Sequence, residues 1–230
     1  MAVNIEKYTQ LKSTVGEKIK LVAVSKVRTV EEIRLMYNLG QRDFGENYVQ
    51  ELVAKQLDLP NDIRWHFIGH LQSNKVKYIA PFIHMIQGVD SFKLLEEIDR
   101  QAALNNRVIN CLFQIHIAQE ESKFGLSDRE LKELTEAMPK YKLAGKLLNV
   151  KLCGLMGMAS MTENQDQVVK EFKYLKCLFD DTRDELNLPS FKTLSMGMSG
   201  DYPAAIQEGS NMVRIGSLLF GSRINNTNQI

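Results

Sequence analysis

Short apolar runs alternate with amphipathic stretches along the whole chain. The first run, 20–25, is rich in β-branched residues and bounded by charge, which predicts a buried strand. Thr29 and Glu32 have the spacing of a capping box, so a helix is predicted to begin there and to stop near Gly40. Further strands are predicted at 44–47, 65–69, 83–88, 108–117, 150–158, 191–196 and 212–215. Helices are predicted between them, up to about 57 and over 74–80, 91–105, 128–137, 165–186, 202–208 and 217–222.

Eight strands that alternate with eight helices within 230 residues are typical of an α/β fold of the (β/α)8, or TIM, barrel type. An open doubly wound sheet also alternates, but it rarely has eight strands without a dinucleotide fingerprint. Residues 1–19 predict an extra helix before the first strand. Five scattered prolines provide no linker, so residues 1–230 are predicted to form one domain.

Composition narrows the class of partner. The chain has 29 Lys and Arg against 28 Asp and Glu, whereas a nucleic-acid-binding domain normally has a basic excess, so no nucleic-acid partner is predicted. No apolar run reaches membrane-spanning length and the N-terminus lacks a signal-peptide core, so we expect no membrane contact. Three dispersed cysteines predict reduced thiols, and a cytoplasmic monomer is the expectation.

The candidate functional residues lie at the carboxyl ends of the predicted strands, where TIM-barrel enzymes have their active sites. Lys26 ends the first strand, and a desolvated lysine amine is a nucleophile toward aldehydes. Ser199, Gly216 and Ser217 follow the seventh and eighth strands, where barrels often bind phosphate. A solvated lysine and ordinary loop glycines are the alternatives. An aldehyde-binding amine opposite a phosphate cup describes a site for pyridoxal 5′-phosphate.

Other polar residues within apolar segments have more than one interpretation. Arg214 interrupts the eighth strand, so it is either in a buried ion pair or close to a ligand. His66 and His70 are four residues apart, but they lie on a predicted strand and no third ligand is near, so no metal site is predicted. Period-two methionines, including Met196 and Met198, predict core packing or pocket lining.

Seven motifs resemble those of the pyridoxal phosphate homeostasis proteins, in the same order and over about residues 20–222. They are AVSK at 23–26, FGEN at 44–47, WHFIGHLQ at 65–72 with NK at 74–75, EESK at 120–123 with Gly125, GLM at 154–156, LSMGMS at 194–199 with Asp201, and VRIG at 213–216 with FG at 220–221. The chain departs from the pattern at His116, at 157–161 and at Asn211, which affects only details of the pocket wall.

The resemblance implies a one-domain barrel similar to the N-terminal domain of alanine racemase. By that resemblance, Lys26 carries pyridoxal 5′-phosphate as an internal aldimine and Arg214 faces the pyridine nitrogen. Ser199, Gly216 and Ser217 are expected to bind the phosphate, while Asn47 and Met196 or Met198 line the ring.

The chemistry of that arrangement predicts weak catalysis. A carboxylate beside the ring nitrogen would keep it protonated, whereas the cationic Arg214 disfavours that proton. The chain ends at Ile230, so we also expect no second domain with a tyrosine base. The predicted function is to hold the cofactor in vitamin B6 homeostasis and release it to apo-enzymes or free amino acids. A weak one-domain racemase and a barrel that binds only a partner protein are the alternatives.

Overall fold

Eight parallel strands form a closed barrel in the computed structural model, which describes residues 3–120 and 124–221. The strands are β1 Lys20–Val24, β2 Asp43–Glu46, β3 Arg64–Phe67, β4 Met85–Val89, β5 Ile109–Ile115, β6 Val150–Gly157, β7 Thr193–Ser195 and β8 Met212–Ile215. The helices are α1 Ile5–Val15, α2 Val30–Asn38, α3 Val49–Asp58, α4 Val76–Ile79, α5 Phe92–Leu104, α6 Asp128–Leu143, α7 Gln165–Leu186, α8 Tyr202–Gln207 and α9 Ser217–Phe220, with a 3-10 turn at Ser73–Lys75.

The strands follow one another around the barrel in chain order, and β1 closes it by pairing with β8. In that pairing Lys20 lies opposite Met212 and Ala23 opposite Ile215. The predicted (β/α)8 barrel is therefore confirmed. The predicted extra helix is α1, and the backbone N–H of Asn4 at its start donates to the carbonyl of Leu219 in α9.

Local sequence explains where elements begin and where one strand bends. Thr29 and Glu32 form the predicted capping box of α2: the Thr29 hydroxyl accepts from the Glu32 N–H, and the Glu32 carboxylate accepts from the Thr29 N–H. Gly154 has a φ of +147° beside a shift in the β5–β6 register. A Cβ there would lie 1.8 Å from the carbonyl oxygen of Thr193, so only glycine fits this irregularity.

The sequence-based end of α6 was wrong. The helix was expected to end at about Ala137. A proline inside a helix ordinarily costs one intrahelical hydrogen bond, because it lacks the backbone N–H. It continues to Leu143 with Pro139 inside it. Met138 is buried in the core, and the Tyr141 ring packs 4.4 Å from the Phe92 ring. Side-chain packing on both sides of the proline therefore outweighs one lost hydrogen bond.

None of the helices in the described part of the chain is long and apolar enough to cross a bilayer. Cys111, Cys153 and Cys177 are all thiols rather than disulfides, and the first two are buried.

Candidate functional site

A cavity of about 560 Å³ lies at the carboxyl-terminal mouth of the barrel. This volume is typical of a small-molecule site, and this end of the barrel is the one where such enzymes act. The cavity is lined by Val24, Lys26, Arg28, Asn47, Ile68, Met158, Met161, Met198, Ser199, Gly200, Arg214, Gly216, Ser217 and Gly221.

The cavity brings together seven of the eight residues predicted to bind the cofactor. They are Lys26, Asn47, Met198, Ser199, Arg214, Gly216 and Ser217. Met196 is not among them, because it is fully buried in the hydrophobic core. Consecutive residues of a strand point to opposite faces, and the preceding residue, Ser195, reaches the polar interior of the barrel. The side chain of Met196 therefore packs on the other face.

The turn that carries Lys26 is held on both sides of that residue. On one side, the Ser25 hydroxyl donates to Glu46 Oε1 at 2.6 Å. On the other side, Val27 has a φ of +61°, and its N–H donates to Glu51 Oε1 at 2.6 Å. A β-branched residue in this conformation is strained, so the surrounding hydrogen bonds must stabilise it.

A buried ion pair supports the same turn. Lys55 Nζ donates to Glu46 Oε1 at 2.8 Å, to Glu51 Oε1 at 2.6 Å and to the carbonyl of Ser25 at 2.7 Å. Burial raises the pKa of the Glu46 carboxyl group, and attraction to the Lys55 ammonium opposes that rise. Sequence reasoning missed Lys55, because a lysine on an amphipathic helix is ordinarily exposed.

Arg214 is a buried cation held by neutral oxygens. Nη1 donates to the carbonyl and hydroxyl oxygens of Ser195 at 2.9 and 2.8 Å, and Nη2 donates to the carbonyl of Gly157 at 2.9 Å. Burial lowers the pKa of the guanidinium to about 10, and attraction to Asp201 opposes the shift. No carboxylate in residues 3–120 or 124–221 forms a salt bridge with it, so the alternative of a buried ion pair is not what the structure shows.

Small residues and hydroxyl groups form another part of the cavity wall. The N–H of Gly216 donates to the Ser199 hydroxyl at 3.3 Å, so the segments after β7 and β8 are in contact. The N–H of Met198 donates to Asp201 Oδ1, which fixes the first of these segments. Gly200 has open space where a side chain would stand. Backbone and hydroxyl groups can therefore approach an anionic ligand closely.

Asn47 offers an acceptor that is not used within the described structure. Its Oδ1 is buried and has no hydrogen-bond partner among the described residues. The backbone of Asn47 packs closely against Gly69, because a Cβ on Gly69 would lie 2.6 Å from the Asn47 carbonyl oxygen. Buried polar atoms are normally paired, so this oxygen is suited to a donor on a bound molecule.

His66 and His70, which were weighed as a metal pair and set aside, lie in separate environments. His70 Nδ1 lies 2.9 Å from Asp90 Oδ2, and its ring stacks on Phe124. His66 lies toward the opposite end of the barrel, where Asp43, His66 and His84 have ligand atoms within 4.8 Å of one another. That carboxylate already binds a neighbouring arginine and has a lysine close by, so the cluster is better explained by hydrogen bonds than by a metal. Residues 121–123 of the EESK motif lie outside the described residues.

Comparison with known proteins defines the class of this barrel. Residues 4–224 match the family described as alanine racemase, N-terminal domain. Alanine racemase from Bartonella henselae superposes with a TM-score of 0.70 at 16% identity, covering 94% of this chain and 59% of the racemase. At that identity, the similarity to the racemase supports the fold alone.

Closer relatives define the family more narrowly. The pyridoxal phosphate homeostasis protein of Aquifex aeolicus is 43% identical over 205 residues, which cover 89% of this chain and 87% of the relative. The human protein of the same name is 38% identical over 215 residues, covering 89% and 76%. The chain therefore belongs to the alanine racemase N-terminal domain family and, within it, to the pyridoxal phosphate homeostasis proteins, which confirms the resemblance seen in the motifs.

Solved structures support the same assignment. PipY of Synechococcus elongatus without pyridoxal phosphate superposes with a TM-score of 0.85 at 34% identity, covering 94% of this chain and 99% of PipY. The structure of PipY with pyridoxal phosphate bound superposes with a TM-score of 0.83 at 33% identity, with the same coverage.

Proposed function

We propose that this chain binds pyridoxal 5′-phosphate at the mouth of its barrel, with Lys26 as the point of attachment, and stores it without efficient catalysis. The observation that carries the proposal is that Lys26 and the buried cation Arg214 line one cavity together with Ser199 and Ser217. Bound cofactor in PipY and the names of the curated relatives support it.

Each group of cavity residues has a task that follows from its chemistry. The amine of Lys26 condenses with the cofactor aldehyde, forming a carbon–nitrogen double bond and releasing water. Ser199, Gly216 and Ser217 bind the phosphate through hydroxyl and backbone N–H groups. Asn47 and Met198 contact the ring from the wall, and the Oδ1 of Asn47, which has no partner among the described residues, supplies an acceptor. Met196 has no place in this site, because it lies in the core.

The charge of Arg214 sets the chemistry that the site supports. A guanidinium only donates hydrogen bonds, so Arg214 meets the ring nitrogen as a donor and opposes its protonation. The bound cofactor supplies an electron sink, and that sink is weak when the ring nitrogen carries no proton. A site of this kind retains a reactive aldehyde better than it stabilises a carbanion.

The cofactor can also leave this site. The bond to Lys26 is reversible, so apo forms of pyridoxal phosphate enzymes and free amino acids are the recipients that we infer. We further propose a cytoplasmic, monomeric, single-domain protein. In the described part of the chain, the closed barrel leaves no unpaired strand edge that would favour association with another copy.

Absorbance tests the attachment. Purified protein mixed with pyridoxal 5′-phosphate should show a band of the bound cofactor, which Lys26→Ala abolishes. Lys192→Ala, which changes an exposed lysine at the other end of the barrel, is the matched control and should retain it. A wild type that shows no such band after cofactor addition would overturn the proposal.

Incubation with amino acids tests whether the loaded protein is a weak catalyst. Loaded wild type is incubated with a panel of L-amino acids, and the D-isomers are measured over time. We expect no sustained formation. Turnover that Lys26→Ala abolishes would replace storage with the alternative function of a one-domain racemase.

A further inference from the structure

A continuous chain of hydrogen bonds crosses the inside of the barrel from Arg214 to Asp43. Arg214 Nη1 lies 2.8 Å from Ser195 Oγ, and that oxygen lies 2.7 Å from Gln87 Oε1. Gln87 Nε2 lies 3.0 Å from His66 Nδ1, and His66 Nε2 lies 3.0 Å from Asp43 Oδ1. The chain begins in the wall of the cavity and ends at the first residue of β2, at the opposite end of the barrel.

The two ends of this chain fix the direction of every bond in it. A guanidinium only donates and a carboxylate only accepts. The Ser195 hydroxyl therefore accepts from Arg214 and donates to Gln87 Oε1, which leaves the Gln87 amide nitrogen to donate to His66. His66 must then accept at Nδ1 and carry its proton on Nε2, from which it donates to Asp43.

These groups are closed off from solvent, and Gln87 Nε2 also lies 3.2 Å from Met212 Sδ. Ser195, Gln87 and His66 have no exposed surface, so a broken bond is not replaced by bulk water. The far end is anchored, because Arg64 donates to both Asp43 oxygens, at 3.0 and 2.6 Å. A change at Gln87 or His66 therefore alters the hydrogen bond that the Ser195 hydroxyl donates. The hydrogen bond that this hydroxyl accepts from the Arg214 guanidinium changes with it.

We propose that Gln87, His66 and Asp43 are positioning residues that act through Ser195 to fix the orientation of Arg214 toward the bound cofactor. The inference rests on the proposed function for its consequence, since it concerns the residue that would face the cofactor ring. None of the three lines the cavity, so each acts only through the next.

The protonation state of His66 sets the direction of the chain. The charged groups that face it are Asp43 from β2, Lys20 from β1 and Arg64 on its own strand, together with His84 before β4, whose ring centroid lies 5.5 Å away. Burial lowers the pKa of His66, and the hydrogen bond with Asp43 opposes the shift.

A second proton on His66 would reverse the middle of the chain. Both ring nitrogens would then donate, so the Gln87 amide would have to rotate and present its oxygen to the ring. Its nitrogen would face Ser195, whose hydroxyl would receive two donors instead of one. The position of Arg214 thus depends on a charge at the opposite end of the barrel.

Nuclear magnetic resonance of the cofactor-free wild type tests the chain without any variant. We expect the imidazole nitrogens of His66 to report a neutral ring protonated at Nε2 at neutral pH. A proton on Nδ1 would overturn the inference. This result is independent of cofactor binding, so it separates failure of the chain from failure of the proposed function.

Cofactor titration of variants tests the consequence. Gln87→Met and His66→Leu should each weaken pyridoxal 5′-phosphate binding by about fivefold, the effect of one lost hydrogen bond, and should shift the pH midpoint of the cofactor absorbance. His66→Gln, which keeps a donor and an acceptor, should lie between His66→Leu and the wild type. Gln101→Met is the matched control, because Gln101 is a buried glutamine on α5 outside the chain.

The outcomes separate the hypotheses. Folded Gln87→Met and His66→Leu proteins with wild-type affinity and an unshifted midpoint would refute the positioning role. An equal shift in Gln101→Met would reduce the effect to general destabilisation and would also refute it. A wild type that binds no cofactor would refute the proposed function instead. The tautomer of His66 would still test the series of hydrogen bonds, because it does not depend on cofactor binding.

Discussion

Two buried charges at opposite ends of the barrel, Asp43 and Arg214, have different kinds of partner. At the amino-terminal end, Asp43 is surrounded by Arg64, Lys20 and His66, so its negative charge has partners within the fold. At the mouth, Arg214 is buried as deeply but touches only neutral oxygens. The first arrangement stabilises the protein without a ligand, whereas the second is suited to a molecule that enters the cavity. Experiments that compare the two charges separate stability from binding.

The carboxylate at the base should have the larger effect on stability. We expect Asp43→Ala to lower the free energy of unfolding by about 3 kcal/mol, because it leaves Arg64 and His66 without their shared acceptor. Urea denaturation measures the change. Asp62→Ala is the control, since Asp62 pairs with Arg42 at the surface and its loss should matter little. Equal effects of the two substitutions would remove the distinction between buried and exposed pairs.

Part of the pH dependence of stability should come from His66. Burial lowers its pKa below the usual value near 6.5, so the folded protein holds it neutral while the unfolded chain binds a proton. This contribution is complete above about pH 6.5 and is lost as the pH falls below that value. The slope is at most about 1.4 kcal/mol per pH unit for one proton. Urea denaturation at several pH values should show a flatter dependence in His66→Gln, and an unchanged slope would contradict this assignment.

Arg64 should matter less than the carboxylate that it binds. Arg64→Met should cost about 1 kcal/mol, because the arginine side chain is partly exposed and Asp43 keeps His66 and Lys20 as partners. Urea denaturation of Arg64→Met and Asp43→Ala under the same conditions measures the difference between the two losses in the free energy of unfolding. A cost near 3 kcal/mol for Arg64→Met would show that the ion pair is screened less than its exposure indicates.

The cation at the mouth should have the smallest effect on stability. For Arg214→Met we expect the free energy of unfolding to change by less than about 1 kcal/mol, because relief from burying a charge offsets the lost hydrogen bonds. Affinity for pyridoxal 5′-phosphate should nevertheless fall by about tenfold or more, as a charged donor is removed. Urea denaturation and cofactor titration measure the two effects. A large loss of stability would contradict this prediction and would show that Arg214 stabilises the fold.

Much of the fold was predictable because its pattern is local. Strands such as β1 are short apolar runs, and helices such as α2 begin at recognisable caps. The end of α6 was not predictable, because the contact between Tyr141 and Phe92 that supports the helix beyond Pro139 joins segments far apart in sequence. Local propensity alone argued for a stop.

The candidate site was predictable where a residue type announces its chemistry and hidden where pairing decides. Lys26 and Arg214 stand out as charges next to or inside apolar strands. Lys55 looks like any helix lysine, and Gln87 is one polar residue within a buried strand. Only the closed barrel brings Gln87 to His66 and to Ser195, which is 108 positions away. Met196 and Met198 belong to one motif, but only Met198 lines the cavity, because Met196 is buried in the core.

The support of the Lys26 turn has a consequence for protein engineering. Lys55 and Glu51 belong to α3, yet they bind the backbone on either side of Lys26. A graft of the AVSK segment into another barrel would therefore carry Lys26 without the hydrogen bonds with Glu51 and Lys55 that support its turn. The transferable module is the continuous segment from β1 to α3, because Glu46 of β2 contacts both Ser25 and Lys55.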